Sequence, residues 1–165
     1  MTVLIIGYPD SGKSKLAEDM ATEMSSPDER IYLATMIPYG EEGSARIEKH
    51  RRMRAGKGFS TVEAPFDATD TAETAMDLTG KTVLLECLSN LVANEMFERH
   101  TDSEVTAEKL TADISRLARQ ARDLIIVSNH FEIKEDFDEE TVLYAKTLDA
   151  VNDRLTAIAD KVIKL

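Results

Sequence analysis

A strand-to-helix loop constrains this chain more than any other segment. Its eight residues match the pattern G-x-x-x-x-G-K-[ST] and are Gly7, Tyr8, Pro9, Asp10, Ser11, Gly12, Lys13 and Ser14. The apolar run Val3–Ile6 precedes the loop, and a helical pattern follows it. In this setting successive backbone N–H groups turn towards phosphate oxygens, and the positive end of the helix dipole adds to their attraction. The motif therefore predicts that all eight residues bind a nucleotide triphosphate, GTP or ATP.

Two side chains of the loop and one carboxylate farther along are expected to act on that nucleotide. Lys13 reaches the outer phosphates as a catalytic group, and Ser14 offers its hydroxyl to Mg²⁺. Glu86 follows the apolar run Val83–Leu85. A carboxylate at the end of a buried strand is costly without a cation or a donor, so we predict that Glu86 is the second Mg²⁺ ligand and part of the nucleotide site. The alternative is that Glu86 caps a helix that begins near Ser89.

Short β-branched runs alternate with helical patterns along the chain. Strands are predicted at Val3–Ile6, Ile31–Ala34, Val83–Leu85, Leu124–Val127 and, more weakly, Val162–Ile163. Helices are predicted over 13–25, 41–56, 87–100, 104–121 and 138–159. The alternation predicts an α/β chain with the P-loop NTPase (RecA-like) three-layer fold and a mainly parallel central sheet. Ligands of such sheets bind at the carboxyl ends of the strands, which places on one rim Gly7, Thr35, Glu86 and Asn129.

Length and charge limit the protein class. The chain has 165 residues, 42% of them hydrophobic, which predicts a single domain over 1–165. A net charge of −11 argues against nucleic acid and anionic membranes as partners, and no apolar run approaches the roughly 20 residues that span a bilayer. Cys87 is the only cysteine, and the first six residues lack the charge and length of a signal peptide. We therefore expect a cytoplasmic protein, with Cys87 a packing residue.

A basic segment at Ser44–Lys57 stands out in this acidic chain. On a helix Arg46, His50 and Arg54 recur every fourth residue and share one face. A neutral imidazole can attack an α-phosphorus, and guanidinium groups neutralise the group being transferred. Nearby cations also keep the imidazole unprotonated. His50 is therefore a candidate catalytic nucleophile and Arg46 a candidate nucleotide ligand; the alternative is a solvated basic helix with an incidental histidine.

The order of motifs resembles the bifunctional adenosylcobinamide kinase and adenosylcobinamide-phosphate guanylyltransferase family of cobalamin biosynthesis. The resemblance covers most of the chain and rests on Gly7 to Glu18, Tyr32-Leu33-Ala34-Thr35, Ala45-Arg46-Ile47-Glu48-Lys49-His50, Leu84-Leu85-Glu86-Cys87 with Asn94, Val127-Ser128-Asn129, and Asn152-Asp153-Arg154-Leu155 with Ala159-Asp160. The phosphate loop is common to many families. The A-R-I-x-x-H and L-L-E-C elements at this spacing are more specific.

The resemblance implies an activity and a set of partners. It implies phosphorylation of the aminopropanol hydroxyl of adenosylcobinamide with ATP or GTP, followed by transfer of GMP from GTP onto that phosphate. In the family the residue that matches His50 accepts the GMP group. The resemblance also implies a corrinoid substrate and a homo-oligomer.

Two segments depart from the family pattern. The family continues as Asn-Glu-(Val/Ile)-Gly where this chain has Asn129-His130-Phe131-Glu132, and its Arg-Asp-x-x-Gly appears here as Ala145–Asp149. The chain also reaches Leu165 without the family's extra terminal strand and glycine turn. A glutamate beside the phosphate loop is a candidate base that orients the substrate hydroxyl, worth roughly 10²–10⁴-fold in rate. Its local replacements are Glu132 and His130.

Two other functions therefore stay open at this point. One is a P-loop kinase for another small alcohol, in which the basic helix has no catalytic role. The other is a degenerate family member that binds nucleotide without turnover. Neither His100 nor His130 lies in a cluster of basic residues, so neither is assigned a role.

Overall fold

One six-stranded sheet organises the chain. The computed structural model describes all 165 residues. The strands are β1 (Thr2–Gly7), β2 (Arg30–Ala34), β3 (Phe59–Glu63), β4 (Thr82–Glu86), β5 (Asp123–Asn129) and β6 (Lys161–Lys164). Their order across the sheet is β3-β2-β4-β5-β1-β6, and every neighbouring pair is parallel. The carboxyl ends of all six strands therefore lie on one edge.

Helices connect the strands as crossovers. They are α1 (Lys13–Met24), α2 (Gly40–Arg54), α3 (Ala68–Ala75), α4 (Leu88–Ala93), α5 (Ser103–Gln120) and α6 (Glu139–Thr156), with a 3₁₀ turn at Pro27–Glu29 and a π turn at Asn94–Glu98. A side-chain cap fixes the start of α6. The Asp138 side chain accepts a hydrogen bond from the Thr141 N–H there (2.7 Å). None of the helices is both long and apolar enough to cross a membrane.

Alternating side chains of the central strands form two cores. Leu4, Leu33 and Ile126 belong to the larger core, which also contains buried residues of α3, α4, α5 and α6. Ile5 and Leu84 belong to the smaller core, which contains the buried alanines of α1. Because strand side chains point alternately to opposite faces, the two cores cover both faces of the sheet. The result is the predicted arrangement of a parallel sheet between two helical layers.

The helix α2 differs from the others because it adds little to either core. Its only buried residues are Gly43 and Arg54. A helix that is polar on nearly every side cannot be held by apolar packing. It lies instead near the carboxyl edge of the sheet, where its basic residues line a cavity.

The predicted elements match the observed ones, with two omissions. The predicted strands all lie within observed strands, and the weak pattern at Val162–Ile163 is the centre of β6. The omitted elements are β3, an edge strand in which only Val62 is buried, and the short helix α3. The helix predicted over 87–100 is α4 followed by the π turn.

Candidate functional site

The phosphate loop has the predicted strand-to-helix geometry. β1 ends at Gly7, and α1 begins at Lys13. Gly12 has a φ of 84°, a left-handed conformation that favours glycine. A Cβ at Gly7 would lie 2.6 Å from Ser11 Oγ, so a larger residue there would require the Ser11 side chain to move. The local backbone thus requires glycine at position 12.

Lys13 lies across its own loop. Its ammonium group donates to the Tyr8 carbonyl oxygen at 2.9 Å, and the residue is buried. Burial lowers the pKa of Lys13, while the nearby Glu86 carboxylate opposes that shift. The loop therefore holds a desolvated cation beside its backbone donors, which is the charge that a polyphosphate requires.

Ser14 and Glu86 meet at the floor of the site. The Ser14 hydroxyl donates to Glu86 Oε1 at 3.2 Å. Burial raises the pKa of Glu86 to about 7, although Ser14 and Lys13 both favour its charged form. Glu86 does not cap α4. The N-cap residue of α4 is Cys87, and no side chain caps this helix. The capping alternative is therefore wrong.

These two oxygens suit Mg²⁺. A hydroxyl and a carboxylate are hard oxygen ligands, and a carboxylate that burial pushes towards protonation gains from a cation. No group of three or more His, Cys, Asp or Glu side chains is placed to hold a metal ion. Ser14 and Glu86 can therefore hold Mg²⁺ only together with phosphate oxygens and water, as is usual for this ion in nucleotide sites.

One cavity of about 470 Å³ joins the phosphate loop to the basic helix. The predicted site residues that line it are Pro9, Asp10, Ser11, Gly12, Lys13, Ser14, Arg46, His50 and Glu86. Gly7 and Tyr8 are not among the lining residues. The structure thus brings the candidate nucleophile, the loop lysine and the candidate metal ligands to one space within a single chain.

His50 is held as a neutral imidazole. It is half-buried, and burial, followed by the charges of Arg46 and Arg54, lowers its pKa below the ordinary 6.5. Its Nδ1 is buried and has no hydrogen-bond partner. At neutral pH the ring therefore carries a free nitrogen lone pair, as a nucleophile requires.

The basic residues of α2 divide into two groups. Arg54 is buried, lies over the Tyr32 ring at 4.0 Å and donates to Thr61 Oγ1 at 3.3 Å. These contacts make it a fixed part of the cavity wall. Arg52, by contrast, is exposed, pairs with Glu48 at 3.6 Å and does not line the cavity. Only one side of the basic helix therefore serves the site.

A second wall was not identified from the sequence as a unit. It consists of Ser89, Asn90, Asn129, Phe131 and Tyr144. The Tyr144 hydroxyl donates to the Ser89 carbonyl oxygen at 3.1 Å, and the Phe131 and Tyr144 rings lie 5.9 Å apart. Asn129 was expected on the rim. Phe131 and Tyr144 share no sequence spacing that predicts a common site, because Phe131 lies in the loop after β5 and Tyr144 lies in α6.

Thr35, which was expected on the rim, forms hydrogen bonds with the backbone of Cys87. The Thr35 hydroxyl donates to the Cys87 carbonyl oxygen at 2.8 Å and accepts from the Cys87 N–H at 2.7 Å. Thr35 is fully buried and joins the ends of β2 and β4 rather than lining the cavity. Burial raises the pKa of Cys87 to about 11, so its thiol stays protonated. This agrees with a packing role for Cys87.

Solved structures share this fold. They include the ATPase domain of G40P, a prototypical ATPase from the type III secretion system of pathogenic bacteria, and the flagellar accessory protein FlaH from Methanocaldococcus jannaschii. Their TM-scores are 0.58, 0.62 and 0.51 at 13%, 15% and 16% sequence identity. Each match covers 99% of this chain and, in the same order, 68%, 50% and 70% of the other chain. The likeness establishes the P-loop NTPase fold.

Residues 3–165 match the CobU family, described as cobinamide kinase / cobinamide phosphate guanyltransferase. The chain belongs to this family. The resemblance inferred from the motifs is therefore confirmed, and with it the class of nucleotide-dependent transferase in cobalamin biosynthesis. The family implies a nucleotide and cobinamide as substrates. Comparison with curated proteins gives no significant match.

Proposed function

We propose that this CobU family member phosphorylates the aminopropanol hydroxyl of adenosylcobinamide and then transfers GMP from GTP to the new phosphate through His50. The observation that carries the proposal is the common cavity, in which His50 of α2 and Lys13 of the phosphate loop both line one space. A nucleotide held by the loop is then within the same enclosure as the nucleophile.

In the guanylyl step a ring nitrogen of His50 attacks the α-phosphorus of GTP. A P–N bond forms, the bond from the α-phosphorus to the α,β-bridging oxygen breaks, and pyrophosphate leaves with the electron pair. Arg46 and Lys13 line the cavity with positive charge that offsets the charge growing on the phosphates. A phosphate oxygen of the acceptor then attacks the same phosphorus, and the P–N bond breaks to restore His50.

In the kinase step the chain binds and orients a nucleotide. The backbone N–H groups of the loop and the Lys13 ammonium hold the phosphates. Ser14 and Glu86 are the residues that would hold Mg²⁺, which, when bound, neutralises phosphate charge. Desolvation at the floor of the cavity strengthens each of these interactions, since fewer waters screen the charges. The loop thus fixes one end of the nucleotide for both steps.

Labelling with α-³²P GTP tests the nucleophile. We expect acid-labile label on the wild-type protein and on His100→Asn, a matched control, because His100 is exposed and does not line the cavity. His100 has a positive φ of 55°, which asparagine tolerates. His50→Asn should take up no label. Equal labelling of His50→Asn would overturn the proposed role of His50.

Turnover with γ-labelled ATP or GTP tests the acceptor. Transfer of label to adenosylcobinamide is the expected result. Phosphorylation of a small non-corrinoid alcohol without covalent nucleotide on the protein would instead indicate a kinase for another substrate. Tight nucleotide binding with no product from either acceptor would indicate a family member that binds nucleotide without turnover.

Three further predictions belong to the same proposal. Both activities are assigned to a single domain over residues 1–165, the protein is assigned to the cytoplasm, and it is expected to form a homo-oligomer. Light scattering coupled to size-exclusion chromatography measures the last of these. A mass equal to one 18.4 kDa chain would contradict it.

A further inference from the structure

Asn129 has a buried polar atom with no partner. Its amide Nδ2 donates to Ser89 Oγ at 2.6 Å, but its carbonyl Oδ1 is buried and accepts no hydrogen bond. Buried acceptors are nearly always satisfied, because leaving one unpaired costs free energy. Asn129 also lines the cavity. Asn129 thus lies in the wall of the proposed nucleotide site and has one unpaired acceptor.

The surroundings of Asn129 fix the direction of its amide. Ser89 is buried, its Oγ lies 2.9 Å from Cys87 Sγ, and its carbonyl oxygen accepts from Tyr144. Ser89 Oγ therefore holds Asn129 Nδ2 in a fixed position. With the nitrogen held there, Oδ1 is the end of the side chain that remains available to a donor.

The position in the sheet places Asn129 next to the start of the phosphate loop. β5 lies between β1 and β4, and Asn129 is in register with Gly7 at the start of the phosphate loop. β4, on the other side, ends at Glu86. A side chain between the loop and the metal-binding carboxylate faces the region where a nucleophile approaches the outermost phosphorus.

The residues expected to replace the family's glutamate are occupied elsewhere. His130 Nδ1 lies 2.9 Å from Asp149 Oδ1, and Glu132 Oε1 accepts from the Tyr8 hydroxyl at 3.5 Å. Neither His130 nor Glu132 lines the cavity. Asn129 therefore has the unpaired oxygen in this wall, which also contains Phe131 and Tyr144.

From these contacts we infer that Asn129 Oδ1 accepts a hydrogen bond from the acceptor hydroxyl during phosphoryl transfer. The pocket beside it takes a short aliphatic arm that ends in a hydroxyl, with Phe131 and Tyr144 against its carbon atoms. This inference rests on the kinase half of the proposed function. The hydroxyl oxygen bonds to the γ-phosphorus, the bond to the β,γ-bridging oxygen breaks, and the nucleoside diphosphate leaves with that electron pair. The hydroxyl proton passes to a transferred phosphoryl oxygen and then to water, since an amide oxygen orients the hydroxyl without taking its proton.

Binding measurements with two ligands on the wild type and two variants distinguish this contact from a structural role of Asn129. The ligands are cobinamide and an analogue whose aminopropanol arm is replaced by propylamine, which lacks the hydroxyl. We expect the wild type to bind cobinamide about tenfold more tightly than the analogue, the typical value of one neutral hydrogen bond. Asn129→Ala should bind the two alike, and Asn129→Asp, which keeps an acceptor oxygen, should retain the preference. Preference retained by Asn129→Ala, or absent from the wild type, would overturn the inference.

Turnover supplies the second measurement. In Asn129→Ala we expect kcat/KM for cobinamide phosphorylation to fall about 10- to 100-fold. Asn129→Asp, which keeps the acceptor oxygen, should recover most of that loss, and circular dichroism shows whether each variant is folded. An unchanged kcat/KM would contradict the role of Asn129 and leave the proposed function intact.

A wild type that neither binds nor phosphorylates cobinamide would instead contradict the proposed acceptor. In that case the role of Asn129 is tested by single-turnover nucleotide hydrolysis with excess enzyme, in which water replaces the acceptor hydroxyl. A loss of about tenfold in Asn129→Ala supports the contact with the attacking oxygen, and an unchanged rate overturns it.

Discussion

The Ser14 hydroxyl donates to Glu86 Oε1 across 3.2 Å and joins the first turn of α1 to the end of β4. This contact links the phosphate loop to an acidic side chain that lines the cavity. Because burial raises the pKa of Glu86 to about 7, its charge changes near physiological pH. The contact therefore predicts how Mg²⁺ binding responds to acid.

Mg²⁺-dependent nucleotide binding should weaken as pH falls through 7. A metal ligand must be deprotonated, and Glu86 takes up its proton below about pH 7. We expect the Mg²⁺ contribution to nucleotide affinity to fall about tenfold per pH unit below that value. Calorimetric titration of nucleotide with and without Mg²⁺ at several pH values measures it. Glu86→Gln should remove this pH dependence, and a variant with the wild-type profile would rule out Glu86 as the ligand.

Removal of the loop lysine should weaken nucleotide binding. Lys13→Ala deletes the ammonium group of the phosphate loop, and charge-assisted bonds from such a group to phosphate correspond to about 10- to 100-fold in affinity. Fluorescence titration with a labelled nucleotide measures the change. Lys146→Ala is the control, because Lys146 is exposed on α6 and does not line the cavity. Equal affinity in both variants would show that Lys13 does not bind the phosphates.

The titration of His50 should respond to Arg46. Burial and then Arg46 hold the pKa of His50 low, so Arg46→Ala should raise that pKa towards 6.5. Since the neutral ring is the nucleophile, the acid limb of the guanylylation rate should move to higher pH in the variant. NMR titration of the His50 ring and the pH profile of labelling measure the two effects.

The control for this experiment is Arg52→Ala, which removes a cation that pairs with Glu48 outside the cavity. It should leave both the titration and the pH profile close to those of the wild type. A shift of similar size in Arg52→Ala would assign the effect to the net charge of the helix rather than to Arg46.

Thr35 should matter for stability rather than for nucleotide binding. Its hydroxyl is fully buried and bonds to both the N–H and the carbonyl oxygen of Cys87. Thr35→Val leaves both backbone groups without that partner and should lower the free energy of unfolding by about 1–3 kcal/mol. Thr35→Ser keeps the hydroxyl and should cost less. Urea denaturation measures both, and a large loss of nucleotide affinity in folded Thr35→Ser would contradict a structural role.

Much of the fold could be predicted because its signals are local. The strands β1, β2, β4 and β5 are continuous apolar runs, as expected for strands buried on both faces. β3 gave no such signal, since an edge strand with one buried residue has an almost polar sequence. The π turn after α4 was also invisible, because Asn94 fits a helical pattern and its contacts with the Thr35 and Pro65 carbonyl oxygens join distant segments.

The sequence by itself determined the phosphate loop, the acidic strand end, the basic helix and the family, because each depends on residues close together in the chain. Tertiary structure alone decided that His50 of α2 and Lys13 of the loop line one cavity. It also decided that Phe131 and Tyr144 form a wall and that Asn129 keeps a free oxygen beside them. These relationships arise where the carboxyl ends of parallel strands and their crossovers meet, and no spacing within one segment encodes them.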